Sequence, residues 1–198
     1  MHIYGITGPS GSGKSLISKH LSKHGAAHID ADRVYHELLV PPSAALDAIR
    51  AAFGSKVFTE SGVLDRAVLS AIVFHDKEKL ELLNRTVLSF VLTEIRRRIS
   101  ELERAGFKAV AVDAPTLIES GFEKECDTVI AVLSPRERRI ERIMERDNLT
   151  LQKAEERTNA QKPDEFYREH SDVVIINDGD EAKFLAELKA ALPALFEK

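Results

Sequence analysis

The sequence predicts an α/β fold in three layers, with a doubly wound parallel β-sheet between layers of helices. Two observations lead to this prediction. β-like segments alternate with helical segments along the chain, and two of the β-like segments, residues 109–112 and 173–176, are continuous apolar runs. Such runs are typical of strands buried on both faces, and repeated β-then-α order is typical of doubly wound sheets. We therefore expect ligands beyond the carboxyl ends of the strands.

Five segments are predicted as strands, and the residue after each strand is a candidate for chemistry. These strands are residues 2–7, 26–29, 109–112, 128–133 and 173–176. Helical spacing begins at Leu16, after the first strand and the segment 8–15, and again near Ala182 after the last strand.

Composition favours one ordinary globular domain, residues 1–198, with 43% hydrophobic and 30% charged residues. A net charge of −4 gives no reason to expect nucleic acid or an anionic membrane as a partner. The single cysteine, Cys126, excludes an internal disulfide and has no zinc-site spacing around it. The lone cysteine indicates a reduced, cytoplasmic setting. No apolar run approaches a membrane span, and no signal peptide is visible.

The most specific motif is a glycine-rich loop between the first strand and the first helix. Residues 8–15 read Gly-Pro-Ser-Gly-Ser-Gly-Lys-Ser, a complete G-x-x-x-x-G-K-S phosphate loop. Its backbone N–H groups and the helix N-terminus bind polyphosphate, Lys14 reaches the β- and γ-phosphates, and the Ser15 hydroxyl holds Mg²⁺. The alternative is a Gly/Ser-rich turn that caps a helix, but the flanking strand and helix favour a fold of the P-loop NTP hydrolase type. The expected nucleotide-binding residues of this segment are Gly8, Gly11, Ser12, Gly13, Lys14, Ser15 and Leu16.

Two acidic positions follow strands. Asp30-Ala31-Asp32 comes after the second strand, and a carboxylate just beyond a strand adjacent to the phosphate loop can orient an attacking hydroxyl and accept its proton. Asp30 also suits the N-cap of the next helix, so we expect Asp30 at the helix boundary and Asp32 as the catalytic carboxylate. Asp113 ends the third strand as a Walker-B acid does, to contact Mg²⁺ through water or hold a substrate group, or else it stops the strand ahead of Pro115.

An arginine-rich helix follows the fourth strand. Arg138, Arg142 and Arg146 are four residues apart and share one face, and interleaved glutamates can pair with them. A solvated, salt-bridged helix is therefore one interpretation. We favour a lid, residues 136–170, whose arginines close over the triphosphate and stabilise the transferring charge.

Two further segments have candidate roles in binding. Asn177 and Gly179 lie after the fifth strand, in an Asn-Asp-Gly sequence that favours a plain turn. This turn would also suit an adenine contact if the fifth strand lies beside the phosphate loop. Residues 31–105 are far longer than one crossover helix requires. They form either extra core helices or, as we favour, the region that holds a phosphoryl acceptor.

Taken together, these residues resemble the dephospho-CoA kinase family over nearly the whole chain. The resemblance rests on Gly5-Ile6-Thr7-Gly8 through Lys14-Ser15, Ile29-Asp30-Ala31-Asp32, Leu64-Asp65-Arg66 with Val73-Phe74, Asp113-Ala114-Pro115-Thr116-Leu117-Ile118-Glu119, Arg142 with Arg146-Asp147, Ala160-Gln161, and Val173 through Gly179. It implies ATP-dependent, Mg²⁺-assisted phosphorylation of the ribose 3′-hydroxyl of dephospho-CoA. Asp32 then matches the base, with Lys14 and Arg142 as the other catalytic residues. Asp30, Arg66 and Asp113 would bind the acceptor, and Arg138 and Arg142 the nucleotide.

The resemblance has two departures. The family usually shows His-Pro after Leu-Asn, whereas Leu83-Asn84 here leads to Leu88-Ser89, and it usually carries Gln where Arg139 stands. A nucleoside or nucleotide kinase of the same fold, a nucleotide-gated switch without a dedicated acceptor, and a catalytically silent nucleotide-binding paralogue are the alternatives.

Overall fold

The computed structural model describes residues 1–74 and 76–192, and these contain one five-stranded sheet. Its strands are β1 (His2–Thr7), β2 (Ala27–Asp30), β3 (Ala109–Asp113), β4 (Thr128–Leu133) and β5 (Val173–Ile176). All five predicted strands are present. β2 and β3 each extend one residue beyond the prediction, so that the aspartate expected after the strand is its last residue.

The helices are α1 (Lys14–Lys23), α2 (Ala31–Leu38), α3 (Ala44–Phe53), α4 (Arg66–Phe74), α5 (Lys77–Arg104), α6 (Arg136–Asp147), α7 (Leu151–Asn159), α8 (Asp164–Glu169) and α9 (Glu181–Ala191). These elements form two compact units. The first contains Met1–Ile29 and the described residues from Leu102 onward, and the second is Asp30–Glu101. The predicted extent of a single functional domain, residues 1–198, stays a prediction.

Alternating residues of β4 show that the sheet is covered on both faces. Ile130 and Val132 pack in the core that contains side chains of α1 and α9, whereas Ala131 and Leu133 pack with Tyr167 of α8. Successive side chains of a strand point to opposite faces, so helices cover both sides of the sheet. The prediction of a three-layer α/β fold with a parallel sheet is confirmed.

The strand order β2-β3-β1-β4-β5 decides which chain segments meet at the phosphate loop. β1 is central and pairs in parallel with β3 and β4, with Ile6 opposite Asp113 and Thr7 opposite Ala131. β2 and β5 lie at the two edges, so neither adjoins β1. The acid beside the strand that precedes the loop is therefore Asp113 rather than Asp30.

No helix within residues 1–74 and 76–192 has the length and apolar character that crossing a membrane requires.

In the second unit, an ion-pair cluster connects α2 to α5. Glu94 accepts hydrogen bonds from Arg97 at 2.7 Å and from Arg98 at 2.8 Å, and Arg98 also bonds Glu37 of α2. Bonding to Arg97 and then Arg98 lowers the pKa of Glu94 from its ordinary value of 4.5 to about 2. Glu94 is therefore ionised, and it holds the arginine that links the two helices.

Glu94→Gln is expected to lower the free energy of unfolding by about 1 kcal/mol at neutral pH. The depressed pKa stabilises the folded state fully above pH 4.5, and this contribution is lost as the pH falls toward about 2. The difference between the variant and the unmodified protein should therefore shrink over that interval in urea unfolding experiments. Glu81→Gln, an exposed substitution on the same helix, is the control, and a difference that stays constant with pH would contradict this assignment.

Candidate active site

The predicted phosphate loop runs from the end of β1 to the first turn of α1. Ser12 N donates to Pro9 O at 3.2 Å, and Leu16 N donates to Gly13 O at 3.0 Å. Gly13 is the N-cap of α1 with φ +100°, and no side chain caps this helix end. The positive end of the helix dipole therefore faces the loop, as anion binding requires.

Lys14 extends its side chain back along the loop. Its Nζ donates to Gly8 O at 2.9 Å and to Pro9 O at 3.3 Å. The ammonium group thus lies at the start of the same loop whose end forms the helix N-terminus. A polyphosphate bound by the loop would meet a positive charge at both places.

The loop packs closely against the β4 and β5 side of the first unit. A Cβ on Gly11 would lie 2.6 Å from Arg139 O, and a Cβ on Gly13 would collide with Asn177 Nδ2. Ser12 is fully buried, and its Oγ has no hydrogen-bond partner among the described residues. An orphaned hydroxyl inside a glycine cradle fits a loop that completes its hydrogen bonds with a ligand.

Gly13→Ala is expected to weaken ATP binding at least about tenfold, since the new methyl group would displace Asn177 from Ser12 O and strain the backbone. Titration calorimetry with ATP measures this loss. Gly25→Ala is the matched control, because Gly25 has a similar φ of +88° and a Cβ there would meet nothing within 4 Å. It should lower stability by about 1–2 kcal/mol and leave ATP affinity unchanged. Equal ATP affinities of the two variants would contradict the packing argument.

Arg142 of α6 reaches the carbonyl side of the loop. Its Nη1 lies 3.0 Å from Gly11 O, 3.3 Å from Ser12 O and 3.2 Å from Ser134 Oγ. Its Nη2 donates to Asn177 Oδ1 at 3.2 Å. The guanidinium therefore joins the loop to the ends of β4 and β5.

Asn177 is part of the same cluster. Its Nδ2 donates to Ser12 O at 2.8 Å, and its backbone carbonyl accepts from Ser134 Oγ at 2.6 Å. The prediction of an adenine contact assumed that β5 lies beside the loop. β5 is instead an edge strand, and the Asn177 side chain reaches the loop from there.

The arginine stripe of α6 has three different environments. Arg138 is exposed and pairs with Glu141 at 3.2 Å, as the solvated-helix interpretation predicts. Arg142 points inward to the loop. Arg146 lies between these extremes, because it pairs with Asp147 at 2.8 Å and donates to Ser10 Oγ at 3.3 Å. Equal spacing along the sequence therefore does not give these arginines equal roles.

Arg139, which stands where the resembled family usually has Gln, is a buried residue. Its Nε has no hydrogen-bond partner among the described residues, and its Nη2 lies 3.7 Å from Asp164 of α8. Burial, with Glu119 nearby, raises the pKa of Tyr167 in this region to about 12. Tyr167 is therefore neutral, and Asp164 is the acidic partner of Arg139.

Asp113 lies beside the first turns of α1. Ser18 Oγ donates to Asp113 Oδ2 at 3.1 Å, which orients the carboxylate at the end of β3. Ser15 is exposed in the first turn of α1. No group of three or more His, Cys, Asp or Glu side chains in the described residues could hold a metal alone. A hydroxyl and a carboxylate fit Mg²⁺, which keeps waters and binds through substrate phosphates.

Asp30, Asp32 and Arg66 belong to the second unit. Asp30 caps α2, accepting from Arg33 N at 3.0 Å, so the N-cap alternative is confirmed for this residue. Asp32 is exposed in the first turn of α2. Arg66 is exposed at the start of α4, with Nη1 3.1 Å from His36 Nδ1. α2 therefore presents a carboxylate and an arginine-bound histidine within one helix.

The first unit brings most of the predicted nucleotide-binding residues together. Around the loop and Lys14 lie Asp113, Arg142 and Asn177. The Leu16 side chain is partly buried against the core, and Gly179 is an exposed turn residue with φ +107°, so the Leu16 side chain and Gly179 do not belong to this cluster.

Sequence reasoning did not assign site roles to three residues that contact this cluster. They are Ser134, Ser18 and Gln161, whose Oε1 accepts from Ser10 N at 3.2 Å. Ser134 directly follows a strand, and Gln161 lies in a segment that carries the family resemblance, so for both the sequence contained a pattern that could have indicated a site role. Ser18 is an ordinary helix serine and had none.

Comparison with known proteins places this geometry in a family. The dephospho-CoA kinase family model matches residues 2–183. A dephospho-CoA kinase from Carboxydothermus hydrogenoformans is 39% identical over 177 residues, covering 89% of this chain and 86% of that protein. A crystal structure of a Thermus thermophilus protein has a TM-score of 0.80 at 31% identity, covering 98% of this chain and 97% of the other. A dephospho-CoA kinase from Campylobacter jejuni has a TM-score of 0.70 at 28% identity, covering 98% and 96%. The chain belongs to the dephospho-CoA kinase family.

Proposed function

We propose that this protein transfers the γ-phosphoryl group of ATP to the ribose 3′-hydroxyl of dephospho-CoA, forming coenzyme A and ADP. The family match over residues 2–183 carries this proposal. The phosphate loop supports its donor half, because a glycine cradle, a helix N-terminus and Lys14 together suit a triphosphate. We place the reaction in the cytoplasm.

On the donor side, the loop and Lys14 bind the β- and γ-phosphates. Ser15 and Asp113 hold Mg²⁺, which neutralises negative charge on the phosphates when it is bound. Ser18 keeps the Asp113 carboxylate oriented through its 3.1 Å hydrogen bond. Arg142 adds a positive charge beside the loop, and Asn177 supports the loop through Ser12 O.

On the acceptor side, residues 31–105 hold dephospho-CoA, and Asp30, Arg66 and Asp113 are its binding residues. Asp32 orients the 3′-hydroxyl and accepts its proton. The hydroxyl oxygen forms a bond to the γ-phosphorus, and the bond from that phosphorus to the β–γ bridging oxygen breaks, so ADP leaves with the electron pair. The phosphoryl group ends on the ribose.

Residues 136–170 act as the lid over the nucleotide. Arg138 and Arg146 contribute positive charge from α6, and Gln161 contacts the loop at Ser10 N. Closing the lid would exclude water from the triphosphate and so favour transfer to the ribose over hydrolysis.

A panel of acceptors tests the proposal. The protein is mixed with ATP, Mg²⁺ and either dephospho-CoA, uridine or a nucleoside monophosphate, and ADP formation is followed. We expect turnover with dephospho-CoA and phosphate on its 3′-oxygen in the product. Lys14→Ala should abolish that turnover. Phosphorylation of uridine or a nucleoside monophosphate without dephospho-CoA turnover would identify a different kinase, and ATP binding without any transfer would identify a silent paralogue.

A further inference from the structure

We propose that Ser134 is a positioning residue for the ATP site, because its hydroxyl holds Arg142 and Asn177 against the carbonyl side of the phosphate loop. This inference rests on the ATP-binding half of the proposed function. Ser134 itself lies behind the loop, where it is 3% exposed, so it acts on the nucleotide through other residues.

The direction of each hydrogen bond at Ser134 follows from its single proton. The 2.6 Å contact joins Ser134 Oγ to a backbone carbonyl, that of Asn177, which can only accept. The hydroxyl proton is therefore used there, and the oxygen lone pair accepts from Arg142 Nη1 at 3.2 Å. One hydroxyl thus holds both residues that contact the loop.

The loop carbonyls held by this cluster determine where the opposite N–H groups point. Ser12 O accepts from Asn177 Nδ2 at 2.8 Å and is 3.3 Å from Arg142 Nη1. The peptide between Ser12 and Gly13 is trans, so the Gly13 N–H points in the direction opposite to the Ser12 carbonyl, away from Arg142 and Asn177. Phosphate-binding loops bind their ligand through such outward N–H groups.

The adjacent peptide is held at its carbonyl in the same way, but its N–H is used within the loop. Gly11 O is 3.0 Å from Arg142 Nη1, and on the other side of that peptide Ser12 N donates to Pro9 O, which closes the turn. Arg142 therefore fixes two consecutive peptides of the loop. Nη1 carries two protons and has three acceptors within reach, namely Gly11 O, Ser12 O and Ser134 Oγ. At least one proton is therefore shared between two acceptors.

The local sequence also indicates that Ser134 has a role beyond starting a helix. Ser is a common N-cap residue, but the N-cap of α6 is Pro135, and no side chain caps that helix end. The Ser134 hydroxyl is directed to Asn177 instead. The residue thus serves a contact 43 positions away in the chain rather than its own helix.

Ser134→Ala tests the proposal. The KM for ATP is compared with the KM for dephospho-CoA, and the Kd for ATP is measured separately. Removing the hydroxyl leaves the Asn177 carbonyl without its donor and Arg142 without one acceptor. We expect the KM and Kd for ATP to rise about tenfold, with the KM for dephospho-CoA unchanged. Ser134→Cys, with a similar volume and a weak S–H donor, should give an intermediate Kd. Ser120→Ala removes a comparable side chain to backbone bond, to Leu117 O at 2.7 Å, and should leave both constants unchanged.

Removing both partners shows whether Ser134 acts through Arg142 and Asn177. In a protein that carries Arg142→Ala together with Asn177→Ala, Ser134→Ala should change the Kd for ATP less than about twofold. A full tenfold effect in both backgrounds, or equal increases in both Michaelis constants, would overturn the proposal. Calorimetry with ATP alone needs no acceptor, so it reports on Ser134 even if the enzyme proves to phosphorylate another hydroxyl. Thermal melting establishes that each variant is folded.

Discussion

Asp32→Asn is expected to lower kcat by about two to four orders of magnitude while leaving ATP affinity nearly intact. The amide keeps the size of the carboxylate but cannot accept the proton of the attacking 3′-hydroxyl. ATP is bound by the phosphate loop, which this substitution does not alter. The loss should therefore fall on phosphoryl transfer.

Steady-state kinetics with dephospho-CoA and calorimetry with ATP together measure this effect. Asp47→Asn is the matched control, since Asp47 is also an exposed aspartate in the first turn of a helix, α3, of the same unit. It should retain normal turnover. Near-normal kcat in Asp32→Asn would remove Asp32 from the role of base.

Arg142→Ala is expected to lower kcat on the order of 10³, the lower end for an arginine that stabilises charge in phosphoryl transfer. The substitution removes a cation beside the loop and also leaves Gly11 O, Ser12 O and Asn177 Oδ1 without this donor. The KM for ATP should rise as well, because the loop carbonyls lose their support.

Rapid-quench measurement of a single turnover separates the two effects of Arg142→Ala. A loss in the transfer step at saturating ATP reports charge stabilisation, and a loss that saturating ATP restores reports loop support alone. The latter result, with kcat preserved, would make Arg142 a ground-state contact. Lys23→Ala, which removes an exposed cation in the last turn of α1, outside the lid, is the control and should keep normal kcat.

The fold class could be predicted from the sequence because the patterns that indicate it lie within short segments of the chain. The apolar run 109–112 indicated a strand buried on both faces, and the G-x-x-x-x-G-K-S motif placed the loop between β1 and α1. Asp30 was correctly expected at a helix boundary, since capping depends on bonds only three residues apart.

The candidate site was less accessible because its contacts are long-range. Arg138 and Arg142 have the same sequence pattern, yet one pairs with Glu141 on the surface and the other bonds the loop 131 residues away. The bond from Ser134 to the Asn177 carbonyl joins residues 43 positions apart and depends on the pairing of β4 with β5. The order of strands, which puts β3 rather than β2 beside β1, also depends on contacts between distant segments.

By itself the sequence determined the α/β class, the phosphate loop and the family, because each is written in a short run of residues or in a pattern along the chain. Only the tertiary structure decided which residues support that loop. Ser134 and Arg142 follow β4 and Asn177 follows β5, and they meet behind the loop because neighbouring parallel strands end at the same edge of the sheet.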